Sequence, residues 1–164
     1  NSAALQFMPA YLNNRGLVAS SFFMANAGMA MLLRIVASRI MDCLDRKAIM
    51  AFSTAWIGLV MVFLIRASTN SLVFLEGAVY GIGMGFGFPV MLALMPDIFP
   101  DDLKPKGISS SFFTMDVGFI VSPLVLGYLG NLIGLDMTLQ LIGITGLLGG
   151  IMLYFFGWRP MRDL

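Results

Sequence analysis

Five apolar runs, each close to the about 20 residues a helix needs to cross a bilayer, follow one another with no room between them for a separate domain. They cover residues 17–40, 48–65, 72–95, 108–133 and 137–158, and each is free of charged side chains or carries them at isolated positions. Backbone N–H and C=O groups in hydrocarbon have to pair within the protein, which leaves helices or a closed barrel. The apolar residues here do not alternate with a period of two, so a barrel is excluded. The expected fold is an all-α, polytopic membrane helix bundle. Its composition agrees, since 59% of the 164 residues are hydrophobic and only 12% are charged, against about 25% charged in soluble domains. Residues 1–12, from Asn1 to Leu12, are too short to span and lack the basic start and cleavage site of a signal peptide. They read as the last turns of a truncated transmembrane helix, and the sequence as a fragment.

The same composition removes most catalytic chemistry. There is no histidine, and Cys43 stands alone, so neither a disulfide framework nor the commonest metal ligand and general base is present in the sequence. No Gly-x-Gly-Asp or Gly-x-Ser-Gly arrangement marks an intramembrane enzyme, and no cofactor or metal is expected. A formal net charge of +1 gives no reason to expect a nucleic-acid partner. The expected surroundings are the lipid bilayer.

The connections are Asn13–Gly16, Asp42–Lys47, Arg66–Ser71, Pro96–Gly107 and Gly134–Asp136, short enough to make consecutive helices antiparallel neighbours. Their basic residues divide unevenly: Arg46, Lys47, Lys104, Lys106, Arg159 and Arg162 fall on one side, Arg15 and Arg66 on the other. Positive charge collects in cytoplasmic loops, so the first set is expected inside, with residues 159–164 forming a cytoplasmic tail of a cell (inner or plasma) membrane protein. Trp158 before Arg159 reads equally as an interfacial anchor or a chance aromatic.

Within this frame a few residues carry more specific information. Arg34-Ile-Val-Ala-Ser-Arg39-Ile-Met-Asp42-Cys-Leu-Asp45-Arg46-Lys47 places an acid and a basic pair around a tight turn. The stretch resembles the loop motif of the major facilitator superfamily, written G-x-L-x-D-x-x-G-R-K, with Ile40 at its Leu, Asp42 at its Asp and Arg46-Lys47 at its basic pair. Ser38 and Asp45 stand where the family prefers glycine. In such a turn an anion near a helix N-terminus gains from the dipole, and Arg beside a carboxylate can latch neighbouring helices. Asp97, at the same end of its span, belongs to this charge set; the alternative is a solvated loop whose charges only orient the chain.

The span 72–95 puts Gly77, Gly81 and Gly85 on one helical face and Gly83 and Gly87 on another, and Pro89 frees a carbonyl and permits bending. Close helix packing is the expected use. With Pro96-Asp97 after it, the stretch is similar to the tenth helix of facilitator-superfamily drug exporters. Tyr80 and Met84 on this span, and Asn26 on the span 17–40, are candidates for a substrate cavity; Asn26 reads also as an interhelical hydrogen-bonding residue. Glu76 reads as an interfacial carboxylate reaching the headgroups.

Asp116 lies about nine residues, hence about 13 Å, into the span 108–133, near the bilayer midplane. Asp116-Val-Gly118, then Ser122-Pro123, then Gly127 is similar to the eleventh helix of the drug:proton antiporter branch, although Ser122 replaces the glycine before Pro123. Two readings stay open for Asp116: a proton or cation coupling site, or a structural carboxylate bonded within the bundle. The spans 48–65 and 137–158 carry no charge, as expected of supports facing lipid.

Taken over the whole chain, the resemblance is to helices seven to twelve of a twelve-helix facilitator, the C-terminal half. It implies an alternating-access transporter, with an N-terminal half of the same protein, a small-molecule substrate and a proton or cation gradient as partners, and proton-coupled efflux of a drug or metabolite as its activity. A non-transporting membrane scaffold or assembly half is the rival reading.

Overall fold

The computed structural model describes residues 2–41, 45–64 and 67–155. Among them every regular element is a helix: α1 Ser2–Asn14, α2 Ala19–Met41, α3 Arg46–Leu64, α4 Asn70–Ile98, α5 Lys104–Ile133 and α6 Leu135–Phe155. Stretches of α3, α4, α5 and α6 are long and apolar enough to cross a membrane, and α2 contributes a shorter apolar stretch, Ala19–Ile35, within 23 helical residues. Asp42 and the tail 159–164 lie outside the described residues.

The helices outrun the apolar spans that announced them. α4 runs on through Pro89 and Pro96 to Ile98, and α5 starts at Lys104, so the expected connection Pro96–Gly107 shrinks to 99–103. Helical hydrogen bonding does not stop where hydrocarbon stops, and Pro105 is well tolerated in the first turn, where an N–H has no helical partner. α5 and α6 are separated by Gly134 alone. Its φ of 85° reverses the chain, and its N–H bonds the Gly130 carbonyl at 3.1 Å, closing the helix end. α4 is capped by the preceding Thr69, whose Oγ accepts from the Leu72 N–H.

Polar contacts tie the connections together at each end of the bundle. At one end Arg15 meets Asp136 at 2.9 Å, and the Val18 N–H donates to Asn70 Oδ1 at 2.9 Å, joining the α1–α2, α3–α4 and α5–α6 junctions. At the other end Arg46, opening α3, meets Asp97 near the end of α4 at 2.6 Å. Packing is uneven between the two. The main buried cluster, which includes Met8, Leu12, Phe22, Met61, Val73, Tyr80 and Leu139, belongs to the Arg15 end.

Two seams hold most of the helices. One packs α4 between α2 and α3. The other packs α3 on α6, where a Cβ on Gly143 would stand 2.9 Å from the Gly58 carbonyl oxygen and one on Gly150 2.5 Å from the Ala55 nitrogen. The uncharged spans 48–65 and 137–158, expected as supports facing lipid, meet each other along this seam. Small residues let their backbones approach, and helix contact replaces part of the lipid contact.

Candidate transport site

α4 is the helix around which the candidate residues are arranged. Its first glycine face meets α2: a Cβ on Gly81 would lie 2.6 Å from the Asn26 carbonyl oxygen and one on Gly85 2.9 Å from Leu33 Cβ, while one on Gly77 would strike the Phe22 backbone. Its second face meets α3, with Gly83 against Ile57 and Gly87 against Ser53. Trp56 Nε1 also donates to the Val79 carbonyl across the α3–α4 contact at 2.9 Å. Gly118 and Gly127 on α5 differ from these. A Cβ on Gly118 would meet nothing within 4 Å, and one on Gly127 would make only ordinary contact with Phe7 at 3.6 Å. Beside Pro123, the Ser122 hydroxyl donates back to the Gly118 carbonyl, a local partner that does not need water.

Where α5 stands away from α3 and α4, a cavity of about 370 Å³ opens. α3 contributes Met50, Ser53, Thr54 and Ile57, α4 the stretch around Met84, Phe88 and Met91, and α5 Met115, Gly118, Phe119 and Ser122. Of the three residues expected to line a cavity, Met84 is on this wall. Tyr80 instead is fully buried beside Phe22, with ring centroids 5.6 Å apart. Asn26 sits in the α2–α4 seam, and its Oδ1 is buried with no hydrogen-bond partner among the described residues. The structure therefore does not bring Asn26, Tyr80 and Met84 into one lining.

The charged residues divide by depth. Asp116 is twelve residues beyond the start of α5, about 18 Å along it; the residues Lys104 to Gly107 precede the apolar span from which about 13 Å was counted. Its side chain is exposed on the chain's surface. Of all the residues of α5 only Gly107 is buried. The Arg34 guanidinium lies 5.9 Å from the centre of the Phe88 ring, a cation–π contact between α2 and α4 rather than membership of the Arg46–Asp97 pair. Lys47 donates its backbone N–H to Asp45 Oδ1 at 3.0 Å, which shapes the start of α3. In the α4–α5 connection, the hydrogen bond and charge of Lys104 hold the Asp101 carboxyl below the usual carboxylate range.

Glu76 is the residue that sequence reasoning placed least well. Expected at the headgroups, it is only partly exposed, and its Oε2 is buried without a partner among the described residues. It precedes Gly77, where α4 comes hard against Phe22 of α2. A carboxylate inside an apolar run was the available signal; its burial depended on how the helices pack around α4.

Six helices with apolar exteriors, polar residues collected at the two ends and isolated carboxylates at depth define a polytopic membrane protein. The family model of the Major Facilitator Superfamily matches residues 1–163, and the chain belongs to that family of membrane transporters. No curated protein matches the sequence significantly.

Proposed function

We propose that the chain forms the C-terminal half of a secondary active transporter, α1 to α6 serving as helices seven to twelve, and that it exports a small molecule by alternating access at the expense of a proton gradient. The observation that carries this reading is α5. The helix is long and apolar enough to span, yet it buries nothing but Gly107 in this chain and exposes Asp116 near its middle. A carboxylate pressed into lipid at that depth costs several kcal/mol, so the face that bears it belongs against water or against more protein. A second half across a wet central cavity meets that requirement, and halves that rock against each other are how such transporters move substrate.

In this reading Asp116 takes up and releases the coupling proton as its hydration changes, and the Arg46–Asp97 pair, with Asp42 and Lys47, latches the cytoplasmic side. The test is transport of ethidium in proteoliposomes of the complete protein under an imposed proton gradient. Gradient-dependent movement is expected in the wild type and its loss in Asp116→Asn, with expression and ethidium binding retained. Movement that ignores the gradient would remove proton coupling from the reading. Wild-type rates in Asp116→Asn would remove Asp116 from it.

A further inference from the structure

Hydroxyls in the middle of membrane helices commonly donate to the carbonyl one turn earlier. Thr54, Ser111, Thr114, Ser122 and Thr145 all do so here, at 2.5–2.9 Å. Ser53 does not. It is 1% exposed, and its Oγ is buried without a hydrogen-bond partner among the described residues. It stands on the wall of the cavity between α3, α4 and α5. A buried hydroxyl left unpaired is costly; the Oγ lies over Gly87, and rotation about χ1 is what turns it from that seam to a polar group in the cavity.

The rest of that wall fixes the chemistry of the missing group. Among the described residues no charged side chain lines the cavity, so an ionised ligand would give up part of its water without a counter-ion on the wall. Met50, Met84, Met91 and Met115 present flexible, polarizable thioethers, with Phe88 and Phe119 as the aromatic part of the lining. Thioethers adapt to irregular shapes and make favourable contacts with ring edges. The about 370 Å³ volume lies at the lower end of the range for small-molecule pockets.

We propose that this cavity is a binding site for a neutral aromatic amphiphile of small-drug size, its rings held by the methionines and its one polar group paired with Ser53 Oγ. The site is built by α3, α4 and α5 alone. Its occupancy is a property of these three helices, and it stands whether or not the protein is a proton-coupled exporter.

The test uses N-phenyl-1-naphthylamine, a neutral aromatic amine that brightens in apolar surroundings, with the protein in phosphatidylcholine nanodiscs. Energy transfer is read from Trp56, whose Cδ1 lies about 3.2 Å from the Cβ position of the wall residue Gly83, with every other tryptophan of the complete protein, Trp158 included, replaced by Phe. Saturable transfer is expected. Gly118→Leu, which projects into open space, should raise Kd at least about tenfold, and Ser122→Leu, filling from the next turn, should do the same. Gly149→Leu, equally open but off the cavity wall, should leave Kd unchanged, while Ser53→Ala should raise it about fivefold. Non-saturable transfer, equal losses in Gly149→Leu, or an unchanged Kd in both filling variants overturns the site. Loss on filling with no effect of Ser53→Ala makes the cavity a slot for lipid acyl chains and overturns the proposed ligand.

Discussion

Asp116 and Glu76 are two carboxylates inside apolar helices, and their surroundings set them apart. Asp116 is exposed on α5, while Glu76 is caught beside the α2–α4 contact with one oxygen buried. If coupling resides at Asp116, Asp116→Asn abolishes gradient-driven transport while Glu76→Gln keeps it; initial rates in proteoliposomes decide between them, and the reverse pattern would move the proton site to α4. Neutralising Glu76 should also raise thermal stability in detergent, because a half-buried carboxylate, one of whose oxygens has no partner among the described residues, is exchanged for an amide that can donate. A lower melting temperature for Glu76→Gln would mean that the carboxylate has a partner in the membrane. The position of Asp116 along its helix could be read from the sequence to within a turn, since it depends only on where the helix starts. The burial of Glu76 Oε2 could not, because it depends on how the helices pack around α4. Ser53 gave no sequence signal at all: a helical serine normally satisfies itself, and only the structure shows that this one does not.

At the scale of the helices, glycine spacing was the most legible feature and also the most uneven. The four-residue repeat in α4 was enough to foresee two close faces, and α2 and α3 occupy them. The α3–α6 seam was not foreseen, because Gly58 stands alone in its span and nothing local names Gly143, Gly146 and Gly150 as its partners. These contacts give a graded expectation. Gly81→Val would drive a side chain against the Asn26 carbonyl, and Gly143→Leu against the Gly58 carbonyl and Val62, so each should cost about 1–3 kcal/mol through overpacking. Gly118→Leu and Gly149→Leu meet open space and should cost little. Thermal unfolding of the four variants in one detergent checks the order; equal losses in all four would mean that glycine flexibility, not backbone approach, is what these positions supply. Trp56→Phe, which deletes the bond to the Val79 carbonyl, should cost about 1 kcal/mol in the same assay.

At the scale of the whole molecule, two ends tied by different charges are what the sequence made plainest, because loop charges mark sides before any helix is built. The pairing of Arg46 with Asp97 joins connections that alternation of short loops had already put on one side, as Arg15 with Asp136 does at the other. Which end faces the cytoplasm is a prediction: single cysteines at Asp45 or Lys104, in a complete protein whose other cysteines, Cys43 included, are replaced by serine, should resist an impermeant maleimide outside intact cells, and one at Asp136 should react. The latch follows from the same arrangement. Arg46 and Asp97 are each about half exposed, so as a static pair they contribute only about 0–1 kcal/mol, and Asp97→Asn should move the melting temperature by no more than about 4 °C. A pair that opens and closes with the transport cycle acts differently, because its strength biases one conformation over the other even when it adds little to folding. Asp97→Asn, Asp42→Asn and Arg46→Asp should therefore slow transport severalfold in folded, correctly inserted protein. The exchange of Arg46→Asp with Asp97→Arg should recover most of the rate, since it restores attraction across the same gap. Wild-type rates in the single variants would reduce the cluster to orientation signals, and slow single variants that the exchange fails to rescue would show that each charge works through some other partner.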